Sequence, residues 1–173
     1  MWRVIMIAGL IIGGLLGTVH EAAAASDNTG TFTWIIGNVG PVPVEGPDIS
    51  MAADGSTLTI TGFGQFTIGR GRKSISGGGD YTLKDAGGQV VDSGQWRMTR
   101  LGGYVDYGGD PAALELRGGT LTAQVRLNGL GAGRIWIYCL LGSPPPTKHE
   151  GIRVDIGSRH FMPHHGETLF IRQ

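Results

Sequence analysis

Glycine occurs so often along this chain that the sequence argues against a helical fold. The 173 residues include 32 glycines. After the N-terminal segment, glycine or proline interrupts every window of about 11 residues in which a helical hydrophobic period would develop. Glycine serves turns and bulges instead, because it adopts positive φ angles at no steric cost. Between the glycines lie alternating segments such as residues 57–61, where Leu58 and Ile60 share one face. The pattern predicts an all-β fold.

About eight to ten short antiparallel strands are expected. An antiparallel β-sandwich is favoured because strand lengths look uneven, and a closed β-barrel is the alternative. The clearest hairpin covers residues 79–100, with a turn at 85–88. The triple glycine 77–79 is predicted to break the chain, and Gly118-Gly119 is predicted to join two strands in a tight hairpin.

The first 25 residues have the three-part order of a secretory signal peptide. Arg3 gives a positive start, residues 4–17 carry no charge, and the small residues 22–26 suit a cleavage site. As a helix the uncharged run would span about 21 Å, which is short for a bilayer core of about 30 Å. The sequence therefore predicts a signal helix at 1–25, a single domain at 26–173, and a periplasmic or extracellular location.

Charge and hydropathy limit the partners of the exported domain. The formal net charge is zero, so bulk charge would not attract nucleic acid or an anionic membrane. The strongest later apolar run, residues 135–141, is too short for a membrane helix, and we expect no stable membrane insertion after cleavage. An eight-stranded outer-membrane barrel is a further alternative, but an aromatic content of only 8% argues against it.

Four histidines lie late in the chain, and they are the candidate metal ligands. His149 precedes Glu150, and His160, His164 and His165 precede Glu167. Imidazole and carboxylate groups bind zinc and copper. His160, His164 and His165 would have to meet through a turn at Pro163, because their spacing is not that of a helical site. The alternative is that these histidines belong to a solvated polar loop that binds no metal.

A second candidate is the glycine-basic loop that contains Arg70, Arg72 and Lys73. Backbone N–H groups and cations in such a loop can cradle an anion. The loop matches neither a Walker A motif nor a dinucleotide fingerprint. A solvated hairpin end is the alternative.

The remaining chemistry-bearing residues favour structural roles. Cys139 lies in an apolar segment and has no basic neighbour, so it is expected to be a buried core residue. Trp34, Trp96 and Trp136 fall on three predicted strands, where they would pack in the core or line a ligand pocket. No serine lies in a Gly-x-Ser-x-Gly motif, which argues against a serine hydrolase of that kind.

Two segments of the predicted hairpin region form a recognisable pattern, Gly77-Gly78-Gly79-Asp80-Tyr81 and Ser93-Gly94-Gln95-Trp96. It resembles a hairpin of small uncharacterised secreted bacterial proteins. The later segments 139–145 and 150–152 are similar to the same group. This resemblance implies export and a β-fold, and it carries no activity, cofactor or catalytic residue.

Taken together, the sequence favours a non-enzymatic exported module that binds an unidentified ligand or protein. No cofactor is required in that interpretation and no catalytic residue can be named. The alternative is a metal-dependent hydrolase, with zinc or copper, that uses the segment from His149 to His165.

Overall fold

The structure is a computed structural model, and it describes residues 29–42, 44–69 and 71–173. The predicted signal peptide at 1–25 and the candidate anion ligand Arg70 lie outside the described residues.

Strands dominate the described part of the chain. It contains ten of them: β1 (Gly30–Ile36), β2 (Asp48–Met51), β3 (Thr57–Gly69), β4 (Arg72–Lys84), β5 (Val90–Asp110), β6 (Ala113–Leu127), β7 (Gly131–Cys139), β8 (Gly151–Ile156), β9 (Arg159–His165) and β10 (Thr168–Arg172). The all-β prediction and the strand number are confirmed. Several strands are longer than expected, and β5 extends over 21 residues.

Within the same residues, no helix is long and apolar enough to cross a membrane.

All ten strands belong to one antiparallel sheet that closes on itself. Along one of its edges, β3 pairs first with β2 and then with β1. In the same way, one edge of β6 pairs first with β10 and then with β7. Two closed circuits therefore share β3, β4, β5 and β6. One circuit continues through β7, β8, β9 and β2, and the other through β10 and β1. Of the two predicted architectures, the closed one describes this pairing.

The inward side chains of both circuits form one hydrophobic core. An aromatic cluster lies within the circuit that contains β1 and β10, where Phe32 stacks on Phe66 at 4.9 Å and Phe170 meets Tyr104 edge-on at 5.2 Å. The strands of the other circuit contribute mostly aliphatic residues. Complete burial of each large side chain stabilises the fold by about 2 kcal/mol.

Two tryptophans pack directly on backbone glycines of β3 and β4. Gly62 faces Gly79 and Gly64 faces Gly77 across the strand pair. A Cβ at Gly62 would lie 2.7 Å from Cζ2 of Trp96. The tryptophan Nε1 groups donate to backbone carbonyls, Trp34 to Ser76 at 3.1 Å and Trp96 to Thr61 at 2.9 Å. The bare backbone lets the indole rings pack directly against the strands.

Two of the turn predictions are wrong because of such packing. Gly77, Gly78 and Gly79 lie inside β4, and Gly118 and Gly119 lie inside β6. A Cβ at Gly119 would come within 2.5 Å of the Tyr104 ring. The predicted hairpin at residues 79–100 is confirmed, since β4 pairs with β5 there and the Asp85 carboxylate accepts hydrogen bonds from the N–H groups of Gly87 and Gln89.

Candidate functional site

A groove opens where β4 and β5 separate. The two strands pair only as far as Gly78 and Arg97. Beyond Arg97, Thr99 forms a bulge in β5, and β5 then continues along β6 alone. The first part of β4 remains paired only with β3. The strands therefore diverge, and a gap is left between them.

Cations and neutral polar groups line this groove. It has a volume of about 570 Å³, and Lys73, Arg100 and Arg134 contribute its charged side chains. Ser74, Thr99, Thr122 and Gln124 add hydroxyl and amide groups. A second hollow of about 430 Å³ shares Thr99, Gln124 and Arg134 with the groove and reaches Asp155 on β8. The two hollows therefore share a wall, and apolar residues such as Ile75 and Leu101 complete the lining of the first.

The groove borders a group of outward-facing arginines, which we call the arginine face. Its members come from four neighbouring strands: Arg97, Arg100, Arg126, Arg134 and Arg153. Arg100, Gln124, Arg134 and Asp155 lie in register, one on each strand from β5 to β8. Guanidinium groups present planar forks of donors that match carboxylate, sulfate and phosphate oxygens.

Two of these arginines oppose each other directly. Arg97 and Arg126 are register partners in the β5–β6 pair, and both side chains are exposed. Like charges in this position destabilise a sheet by a few tenths of a kcal/mol or more. Among the described residues, neither Arg97 nor Arg126 has a carboxylate within ion-pair distance. The same holds for Arg100 and Arg134.

The far end of the arginine face is fixed by a carboxylate and an aromatic ring. Arg153 makes a bidentate ion pair with Asp155, at 3.1 and 2.9 Å. The guanidinium groups of Arg153 and Arg134 lie 4.5 and 5.5 Å from the centre of the Trp136 ring. Partial burial raises the pKa of Asp155, but the hydrogen bonds from Arg153 and His160 outweigh it and hold that pKa below its usual value. Because two guanidinium groups lie over its ring, Trp136 is a surface residue that orients cations, unlike Trp34 and Trp96.

The predicted anion loop contributes to this site only in part. Lys73 lines the groove, whereas Arg72 is exposed at the start of β4 and is not a lining residue. The arginine face was not foreseen, because its members are distant in sequence and only the strand register brings them together.

The three candidate metal ligands all belong to β9, but they have separate surroundings. His160 Nδ1 lies 3.1 Å from Asp155 near the start of the strand, and His165 Nε2 lies 3.7 Å from Glu45 at its end. His164 is exposed between them. In the described part of the chain, no three His, Cys, Asp or Glu side chains are arranged to hold a metal ion.

A buried carboxyl group was also missed. Asp48 is completely buried at the start of β2, and within the described residues neither carboxyl oxygen has a hydrogen-bond partner. Gly151 and Gly166 make room for it, since a Cβ on either would lie within 2.8 Å of Oδ1. Burial, and then the charges of Glu150 and Glu167, raise the pKa of Asp48 to about 8. The group is therefore largely protonated at neutral pH.

Cys139 occupies the predicted core position on β7. Burial raises the pKa of its thiol to about 12, so the thiolate required for reaction is almost absent at neutral pH. We expect a disulfide exchange reagent at pH 7.5 to label the native protein very slowly and to titrate one thiol after unfolding in guanidinium chloride. Rapid stoichiometric labelling of the folded protein would contradict this assignment.

Comparison of the chain with protein-family models, curated proteins and solved structures gives no match. The function is therefore inferred from the geometry of the groove and the arginine face.

Proposed function

We propose that this chain is the precursor of an exported β-domain that binds an anionic ligand in the groove between β4 and β5. The signal-peptide pattern of residues 1–25 supports the export. Binding, rather than catalysis, is the role of the mature domain in this proposal, and its location is the periplasm or the extracellular space.

One observation carries the proposal: four arginines share one face, and in the described residues none of them makes an ion pair with a carboxylate within 4.0 Å. Arg97, Arg126 and their neighbours place positive charge together in a chain whose net charge is zero. Such an arrangement costs stability in the free protein. A bound anion would offset the repulsion and receive charge-assisted hydrogen bonds from the guanidinium groups.

The shape of the site supports a ligand of modest size with several acceptor oxygens. Lys73, Arg100 and Arg134 line the same groove, and Gln124 provides an amide between Arg100 and Arg134 in the cross-strand row. A cavity of this volume lies in the usual range for small-molecule sites.

A metal-dependent hydrolase has less support. His160 and His165 are five residues apart on an extended strand, which separates their backbones by about 16 Å. Each also has its own carboxylate neighbour. Both features favour separate roles for the two side chains.

Tripolyphosphate is a suitable probe for the groove, because it presents several anionic oxygens in a small volume. We expect the Arg100→Gln and Arg134→Gln variants each to bind it about tenfold more weakly than the wild type, since a charge-assisted hydrogen bond contributes about 1.5 kcal/mol. Isothermal titration calorimetry at fixed ionic strength measures the affinities.

Arg159→Gln is the matched control. Arg159 is an exposed arginine on β9 outside the groove and the arginine face, and its removal should leave the affinity within about twofold of the wild type. Equal losses in all three variants would indicate a response to net charge alone and would refute a defined site, as would undetectable binding to the wild type.

A further inference from the structure

We propose that the ligand of the arginine face is an anionic polysaccharide, which enters the groove at Lys73 and Arg100 and continues across β6 and β7 to Arg153. This inference rests on the proposed anion-binding function and names the class of its ligand. It concerns the exposed strand surface beyond the groove, which a small anion would leave uncovered.

The geometry of the cross-strand rows supports an extended ligand. Arg100, Gln124, Arg134 and Asp155 occupy successive strands, and three strand spacings cover about 14 Å. A second row places Thr122, Trp136 and Arg153 beside the first. Along the track formed by the two rows, cations thus occur on β5, β7 and β8, with the neutral Thr122 and Gln124 on β6 between them and the Asp155 carboxylate paired with Arg153 on β8.

The chemistry of this track suits a chain that carries both hydroxyl and acidic groups. The arginines are donors for carboxylate or sulfate oxygens. Thr122 and Gln124 can donate to and accept from hydroxyl groups, and the Asp155 carboxylate accepts hydrogen bonds only. A polysaccharide of uronic acids or sulfated sugars offers both kinds of group at regular intervals.

The same surface is less suited to nucleic acid. Single-stranded nucleic acids stack their bases on free aromatic faces, but the Trp136 ring lies beneath the guanidinium groups of Arg134 and Arg153.

A lipid surface is also disfavoured. Membrane-binding faces combine cations with exposed apolar side chains that enter the headgroup region. The exposed large hydrophobic residues of the described chain, among them Phe63, Val90 and Met162, all lie outside the arginine face. Its outward residues are instead polar or charged, apart from Trp136 and Ala132.

Chain-length dependence tests the inference directly. We expect oligogalacturonides or heparin fragments to bind at least about tenfold more tightly as octasaccharides than as disaccharides, because the longer chain reaches both ends of the track. In the double variant Arg126→Gln/Arg153→Gln, the gain with length should disappear, because the arginines beyond the groove are lost. Arg159→Gln should retain both properties.

Anion binding and polysaccharide binding are distinguished by different results. Absence of tripolyphosphate binding would overturn the proposed function, whereas normal tripolyphosphate binding without any gain with saccharide length would overturn only the polysaccharide inference. Equal or tighter binding of a single-stranded oligonucleotide, or of vesicles that contain phosphatidylglycerol, would also overturn the inference in favour of those partners.

A stability measurement separates binding from structure. Arg126→Glu should form a cross-strand ion pair with Arg97, so we expect its thermal midpoint to rise above that of the wild type while its affinity for the octasaccharide falls. A lower midpoint together with unchanged affinity would mean that Arg126 serves the fold and not the ligand.

Discussion

Gly64→Ala is expected to lower the free energy of unfolding by about 3 kcal/mol, which corresponds to a fall of about 10 °C in the thermal midpoint. A Cβ at this position would lie 2.2 Å from the carbonyl oxygen of Ser76 and 2.8 Å from Cζ2 of Trp34. The backbone of β4 and a fully buried indole would both have to move. Thermal unfolding followed by circular dichroism and tryptophan fluorescence measures the loss.

Gly69→Ala provides a control on the same strand. Gly69 is the last residue of β3, has no positive φ, and has no atom within 4 Å of the position of a Cβ. We expect its midpoint to stay close to that of the wild type. If both variants lost the same stability, the loss would reflect alanine in a strand and not the contact between Trp34 and the glycine backbone.

Asp48→Asn is expected to change the pH dependence of stability. The pKa of Asp48 is raised from 3.8 to about 8 in the folded protein, so the native state keeps a proton that the unfolded chain loses above pH 4. Because of this group, the free energy of unfolding of the wild type should fall by about 1.4 kcal/mol for each pH unit between pH 4 and pH 8. The stabilising effect is complete below pH 4 and lost above pH 8.

An asparagine cannot ionise, so the Asp48→Asn variant should lack this fall and should be more stable than the wild type at pH 9. Chemical unfolding at pH 5, 7 and 9 gives the two profiles, and their difference removes the contribution of all other groups. Asp80→Asn, at an exposed aspartate of β4, should follow the wild-type profile. Parallel profiles for the wild type and Asp48→Asn would show that the carboxyl group is solvated or ionised in the native state.

The sequence predicted the strands well where side chains alternate, and poorly where glycine replaces them. The Thr-Leu-Thr-Ile-Thr segment placed Leu58 and Ile60 correctly in the core. Gly77 and Gly119 were interpreted as turn residues, although both lie in strands beneath aromatic rings. A glycine that receives an indole and a glycine that makes a turn look identical in sequence, because the difference depends on a residue from a distant strand.

The candidate site was predicted only through Lys73. Arg97, Arg126 and Arg153 fall in three separate segments of the sequence, and a neutral total charge conceals their common face. A search for arginines at the outward positions of alternating strands would have selected Arg126 and Arg134, beside the inward Val125 and Ile135. It would not have placed them side by side, because the register of β6 with β7 depends on the folded sheet.

The pairing of β1 with β10 affects when this protein can fold. Phe32 lies opposite Arg172, and the N–H of Gln173 donates to the carbonyl of Thr31 at 2.9 Å. These partners are separated by nearly the whole described chain, and contacts at such separation form slowly. A growing polypeptide cannot complete the circuit that contains β1 until β10 has left the ribosome. Closure of this circuit is therefore among the last steps of folding, after the whole described chain has been synthesised.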